Sequence, residues 1–147
     1  MKLLIFTFFL LLTQMAVGSN HTTINGKENT GQCATITLLD SLPLRSLQTD
    51  DFTITSVTIE DSCLVIAVTY GGGCGTTNFE LFWNKMITEC RYPSVNVFLK
   101  LTDDDFCKAI ISETVLKFDL TAFGGLRESY GLGIRIMGTE FLVSYGR

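Results

Sequence analysis

The sequence predicts an all-β protein, a disulfide-stabilised antiparallel β-sandwich, with a small β-barrel as the alternative. Three observations predict it: eight or nine short runs of alternating or continuous apolar residues, turn residues between them, and five cysteines. Of the 147 residues, 46% are hydrophobic and 18% charged, which is typical of a packed domain. We divide the chain into a signal peptide (1–18), a flexible polar lead-in (19–32) and a single β-sandwich domain (33–147).

The N-terminal segment predicts export. Residues 3–12 form an apolar run behind a positive start, and residues 16–18 are the small residues of a cleavage site. A run of ten residues is too short to span a bilayer, which takes about 20. We therefore expect cleavage before Ser19, a secreted, periplasmic or extracellular location, and no transmembrane segment in the cleaved chain. Asn20 begins an Asn-His-Thr pattern, a glycosylation acceptor in eukaryotic secretion.

The first strands are expected between residues 34 and 70. Residues 34–39 and 52–59 are rich in threonine and isoleucine, and the apolar phase of the second run slips at Thr55-Ser56, which predicts a bulge. After a turn at 60–62, residues 63–70 are apolar at nearly every position. This pattern is typical of a central strand covered on both faces.

Later runs alternate with period two. They cover residues 77–83, 94–102, 116–120, 132–137 and 140–145. Gly138-Thr139 separates the last two runs and predicts a hairpin with a mirror-image turn.

Residues 103–116 allow two predictions. A capping box formed by Thr102 and Asp105 would start a helix from Asp103 to about Leu116. Four β-branched residues in the second half disfavour a helix. We favour a hairpin that turns at 103–105.

The sequence offers few candidate residues for the common catalytic mechanisms. The only histidine, His21, lies in the lead-in, so the predicted domain lacks the usual general base. A glycine-rich segment, 71–75, precedes a strand rather than a phosphate-binding helix, and the acidic segment 103–105 lacks the spacing of a calcium loop. The net charge of −4 disfavours nucleic-acid binding. We predict no catalytic residues, no cofactor, no metal site and no enzyme activity.

The aromatic residues near residue 80 suggest a binding face. Phe79 and Trp83 share strand parity and are expected in the core, whereas Phe82 lies on the opposite face. With Tyr92, Phe82 is the candidate ligand-facing residue.

Residues 61–74, which read DSCLVIAVTYGGGC, and residues 79–83 resemble a group of small exported bacterial proteins, mostly uncharacterised and often lipoproteins. In that group a second cysteine follows a later acidic turn, here Cys107. The resemblance implies no established activity, but it implies a disulfide between Cys74 and Cys107. Cys33 with Cys63 is the second predicted pair, which leaves Cys90 as a free thiol. The chain departs from the group at Thr76-Thr77, where a charged residue and histidine are expected, and lacks the lipid-attachment cysteine.

Three functional hypotheses follow. The first is a non-enzymatic β-sandwich that binds an extracellular or envelope protein or glycan through loops and one exposed face. The second is a small carrier whose apolar ligand lies between the sheets. Its cavity would be lined by Phe79, Leu81, Trp83, Val97 and Leu99. The third is a hydrolase that uses a pair of carboxylates.

Overall fold

The computed structural model describes residues 32–40, 43–72, 75–89, 91–104, 111–126 and 131–146. Within these ranges eight strands form two sheets, and two short 3-10 helices connect them. The strands are β1 (Thr37–Leu38), β2 (Phe52–Glu60), β3 (Cys63–Gly71), β4 (Thr77–Thr88), β5 (Ser94–Asp103), β6 (Ile111–Asp119), β7 (Leu132–Ile136) and β8 (Leu142–Tyr145). The 3-10 helices are η1 (Leu44–Ser46) and η2 (Leu120–Leu126). The all-β prediction is confirmed, and the described strands do not close into a barrel.

The three-stranded sheet has the order β2-β3-β6 and is antiparallel throughout. The apolar run 63–70 is its central strand, as predicted. The turn between β2 and β3 places Asp61 at φ +54°. The register shifts between Ile54 and Ser56, so the predicted bulge is confirmed. The Thr55 hydroxyl donates a hydrogen bond to the Ala67 carbonyl at 3.2 Å across this irregularity.

The five-stranded sheet has the order β1-β4-β5-β7-β8. Its β1–β4 and β5–β7 pairs are parallel, so the expectation of an antiparallel sandwich holds for only part of this sheet. The parallel β5–β7 pair arises because β6 and η2 intervene in the chain, and β6 belongs to the other sheet. A parallel pair needs such a long crossover connection.

The core lies between the inner faces of the two sheets. Leu64, Ile66 and Val68 of β3 are at most 1% exposed, and Leu81 of β4 is fully buried. Residues two positions apart in a strand point to the same face, so Leu64, Ile66 and Val68 all face the core between the sheets. Phe123 of η2 fills the space beside them and is 0% exposed.

Residues 34–38 connect the edges of the two sheets. The Ala34 N–H donates to the Lys117 carbonyl at 2.8 Å, and the Asp119 N–H donates to the Ala34 carbonyl at 2.7 Å. Thr37 and Leu38 then pair with β4 in the other sheet. This segment therefore joins β6 to β4 along one side of the sandwich.

A disulfide links Cys33 to Cys63, with their Cα atoms 6.1 Å apart. It is the second of the two predicted pairs, and it ties the start of the connecting segment 34–38 to β3. The first predicted pair, Cys74 with Cys107, lies outside the described residues, as does the predicted free thiol of Cys90.

The prediction for residues 103–116 needs correction. Residues 111–116 belong to strand β6, not to a helix, but β6 pairs with β3, so β5 and β6 do not form a hairpin. Leu116 and Phe118 lie opposite Ile66 and Leu64, and this register places their side chains in the core between the sheets. Alternation of apolar and polar residues predicts a strand, but it specifies neither the partner strand nor the sheet.

The β7–β8 hairpin forms at the predicted place, with a different turn. Gly138 has φ +80°, whereas Met137 does not have a positive φ, so the turn resembles type II rather than a mirror-image turn. The Thr139 N–H donates to the Ile136 carbonyl at 3.3 Å and closes the turn.

The predicted strand at residues 116–120 is the second half of β6. The strand ends at Asp119, because Leu120 begins the 3-10 helix η2.

Gly131 occupies a position that only glycine tolerates. Its φ is +77°, and an added Cβ would lie 2.5 Å from the Gly146 carbonyl oxygen. We expect Gly131→Ala to lower the free energy of unfolding by about 2–3 kcal/mol in a urea titration. Gly124→Ala is the matched control, since an added Cβ there meets nothing within 4 Å. Equal stability of the two variants would contradict this account of Gly131.

The segments on which the export prediction depends, including Asn20 and His21, lie outside the described residues. Among the residues that the structure does describe, no helix has the length and apolar character needed to cross a membrane.

Candidate functional site

A surface depression of about 460 Å³ lies on the outer face of the five-stranded sheet. We call it the arginine hollow, and it is lined by Arg45, Asn96, Phe98, Arg135, Met137 and Gly138. Three separate parts of the chain build it: the segment around η1, strand β5, and the β7–β8 hairpin.

The sheet register brings the hollow's polar and apolar side chains together. Asn96 of β5 and Arg135 of β7 are paired directly. Phe98 lies two residues beyond Asn96, and therefore on the same face of the sheet. The Met137 N–H donates to the Val97 carbonyl at 2.9 Å and holds the start of the β7–β8 turn against β5.

Arg45 reaches the hollow on the strap, which we define as residues 43–51. Leu44 is only 3% exposed and anchors η1, which contacts β4. At the far end of the strap, the Leu101 N–H donates to the Thr49 hydroxyl at 2.8 Å, and the Asp50 N–H donates to the Leu101 carbonyl at 3.0 Å. The strap is thus attached to both β4 and β5, and Arg45 is exposed between these attachments.

The hollow is cationic on a chain whose net charge is −4. Neither Arg45 nor Arg135 forms a salt bridge among the described residues, and none of the lining residues is acidic. A guanidinium keeps its proton and binds carboxylates or phosphates with two parallel hydrogen bonds, and it also stacks on aromatic rings. The arrangement suits recognition of an anionic group beside an apolar one.

The described ion pairs lie elsewhere. Lys117 contacts Glu60 at 2.8 Å on the three-stranded sheet. Lys85, in the irregular part of β4, contacts Asp40, and its hydrogen bond and positive charge lower the pKa of that carboxyl. Because the folded pKa lies below the ordinary value, the stabilisation from this pair is present at neutral pH and is lost as the pH falls through the folded pKa.

The two predicted ligand-facing residues are not brought together. Phe82 is on the outer face, as its parity predicts, but it is only 8% exposed, and η1 with its buried Leu44 contacts the same strand, β4. Tyr92 is 65% exposed in the connection before β5, where the Arg91 guanidinium lies 5.8 Å from its ring centroid. Phe98, the cross-strand partner of Phe82, lines the hollow instead.

The side chains predicted to line a cavity between the sheets are packed in the core. Leu81, Val97 and Leu99 are at most 2% exposed. Trp83 contacts Phe123 edge-on, with ring centroids 4.6 Å apart. Phe79 packs in the same way against Phe52 at 5.7 Å and Tyr70 at 5.4 Å. These contacts favour a filled core at the position where the carrier hypothesis placed its ligand.

A second, smaller depression of about 280 Å³ lies at one end of the three-stranded sheet. It is lined by Asp51, Phe52, Thr53, Thr69, Tyr70, Gly71 and Ile111. Asp51 is the one carboxylate among these lining residues, so the carboxylate pair that the hydrolase hypothesis requires is not found among them.

The acidic turn after β5 makes hydrogen bonds to the backbone. Asp104 accepts a hydrogen bond from the Thr76 N–H at 2.6 Å, and the Asp103 N–H donates to Asp50 at 2.8 Å. Asp105 lies outside the described residues. In the described ranges, no three His, Cys, Asp or Glu residues are grouped as they would be to hold a metal ion.

Comparison with known proteins shows similarity of fold. No protein-family model matches the sequence, and no curated protein is similar to it. A protein of unknown function, DUF1344, from Bacteroides vulgatus aligns with 78% of this chain at 13% identity and a TM-score of 0.55. A NigD-like immunity protein from Bacteroides caccae aligns with 78% at 13% identity and a TM-score of 0.53. The aligned region spans 56% and 59% of those two proteins. These neighbours share the fold and are bacterial, as the sequence resemblance suggested.

Proposed function

We propose that this protein is a non-enzymatic binding protein that recognises a carboxylate-bearing partner at the arginine hollow. The observation that carries the proposal is the pair of guanidinium groups, Arg45 and Arg135, with no salt-bridge partner among the described residues. Phe98 and Met137 line the same hollow. Arginine, aromatic residues and methionine are enriched in protein-binding surfaces, where arginine often contributes a large share of the affinity.

The partner belongs to the extracellular space or the cell envelope. The signal-like segment 1–18 supports this location, and the Cys33–Cys63 disulfide is compatible with an oxidising compartment. The partner is a protein or glycan that presents carboxylates next to an apolar group. One structural neighbour is described as an immunity protein, which is compatible with a binding role.

A charge reversal in the hollow tests the proposal. We expect Arg135→Glu to weaken binding at least about tenfold, because the new carboxylate repels the partner and removes the bidentate contact. Immobilised wild-type and variant chains are incubated with envelope and secreted fractions of a producing cell. Retained components are identified by mass spectrometry, and the affinity of each is then measured with the purified component.

Arg91→Glu is the matched control. It makes the same charge change at an exposed arginine outside the hollow and should leave binding within about twofold of wild type. Arg45→Glu, at the other arginine of the hollow, should lower the affinity to a similar extent as Arg135→Glu. The proposal is contradicted if the wild-type chain retains no envelope or extracellular component. It is also contradicted if wild type and Arg135→Glu retain the same components equally.

A further inference from the structure

The edge of β6 that faces away from β3 exposes backbone hydrogen-bonding groups. The Lys117 carbonyl and the Asp119 N–H point to this edge, because both bond to Ala34. Neighbouring residues in a strand point their backbone groups to opposite sides. The N–H and C=O groups of Ile111, Glu113 and Val115 therefore point to the same free edge, while the alternate residues bond to β3.

Among the residues that the structure describes, Ala34 alone pairs with this edge, and it does so at one end. No described residue pairs with the outer edge of β6 over residues 111–116. At about 3.3 Å per residue, this stretch can accept a strand of roughly five or six residues. The Cys33–Cys63 disulfide holds the neighbouring segment in place and so defines where an added strand has to stop.

The side chains along the free edge are unusually apolar for a solvent-exposed strand. Ile111 is 77% exposed and Val115 is 60% exposed, and Glu113 lies between them on the same outer face. Exposed sheet edges are usually protected by charged side chains, proline or a bulge, and residues 111–116 contain no proline, no bulge and a single charge, Glu113.

Glu113, at the centre of this stretch, determines which charge is favourable on a strand that pairs with the edge. If two copies of this chain paired their β6 edges antiparallel around Glu113, the two carboxylates would lie opposite each other, which is destabilising. A strand of another protein would form favourable cross-strand pairs at all three positions if it placed a basic residue opposite Glu113 and apolar residues opposite Ile111 and Val115. We propose that the free edge of β6 binds an extended segment of a partner protein in which apolar, basic and apolar residues alternate at every second position. This site is on the other sheet from the arginine hollow and is independent of it.

Two synthetic peptides test the proposal. The first, acetyl-TVTKTVT-amide, reads the same in both directions and so presents its lysine between two valines in a parallel or an antiparallel pairing. The second replaces lysine by glutamate. In an NMR titration of the full cleaved chain, we expect the lysine peptide to bind about three- to tenfold more tightly than the glutamate peptide. Binding should slow amide exchange at Ile111, Glu113 and Val115.

Charge-reversal variants distinguish peptide binding at the edge of β6 from nonspecific attraction of a basic peptide to an acidic protein. Glu113→Lys should reverse the preference of the two peptides. Glu140→Lys, the same charge change at an exposed residue outside β6, should leave the lysine peptide preferred.

Backbone variants test whether the strand edge itself binds. Val115→Pro removes an outward N–H without removing a bond to β3 and should lower the affinity for both peptides at least about fivefold, whereas Val115→Thr should not. A lysine peptide N-methylated at its three central residues makes the same test without altering the protein and should bind at least fivefold more weakly. Equal affinity for the two original peptides, shifts confined to amides outside β6, or a β6-mediated dimer in place of peptide binding would overturn the proposal.

Discussion

Phe123→Ala is expected to lower the free energy of unfolding by about 3–5 kcal/mol. The Phe123 ring is 0% exposed and lies 4.6 Å from the Trp83 ring, edge to face. Truncation would remove a large buried apolar surface and leave a cavity between η2 and the five-stranded sheet. Both losses weaken the native state, and the aromatic pair itself adds to them.

Urea unfolding followed by circular dichroism measures this effect, and the fluorescence of Trp83, the single tryptophan, reports directly on the altered contact. Leu142→Ala is the control, because Leu142 is 52% exposed and its truncation should cost below about 1 kcal/mol. Comparable losses in the two variants would show that Phe123 is not a central part of the core.

Removing the Cys33–Cys63 disulfide is expected to lower the free energy of unfolding by about 3–4 kcal/mol in the chain-entropy model. The bond closes a loop with a sequence separation of 30, and its loss gives the unfolded chain more freedom. It also frees the residue beside Ala34, so amide exchange of Ala34 and Asp119 should accelerate in native conditions.

Serine substitutions test the disulfide by a double-mutant cycle. Cys33→Ser, Cys63→Ser and the double variant should lose similar amounts of stability, because each removes the same bond. Losses that add in the double variant would mean that the two side chains act separately. The same unfolding assay, performed without reducing agent, provides all three values.

The sequence patterns located the strands better than their pairing. Alternation places Leu99 and Phe98 on opposite faces, and the phase slip at Thr55 correctly predicted the β2 bulge. Alternation does not specify which strand is the neighbour, so the pairing of β6 with β3 and the parallel β5–β7 pair required the folded chain. Helix η2 was missed because Leu120 continues the period-two pattern of β6.

The candidate site was less predictable, because it is assembled from distant segments. Parity correctly placed Phe82 on the outer face, but no local pattern predicts its burial, since η1, which contacts β4, lies two strands earlier in the chain. The same parity argument marks Phe98, which lies opposite Phe82 and lines the hollow. No local pattern indicates that Arg45 and Arg135 share a depression, since their proximity arises from the course of the strap across the sheet.

The segment that joins the two sheets also adds long-range contacts that affect how fast the chain folds. Ala34 pairs with Phe118, and Thr37 pairs with Phe82, so both partners follow tens of residues later in the chain. Because closing loops of this length costs entropy before any contact is made, these long-range pairings are expected to slow folding. Undocking of this segment would remove the Ala34 hydrogen bonds from the edge of β6, and the Cys33–Cys63 bond opposes that separation by keeping the segment beside β3.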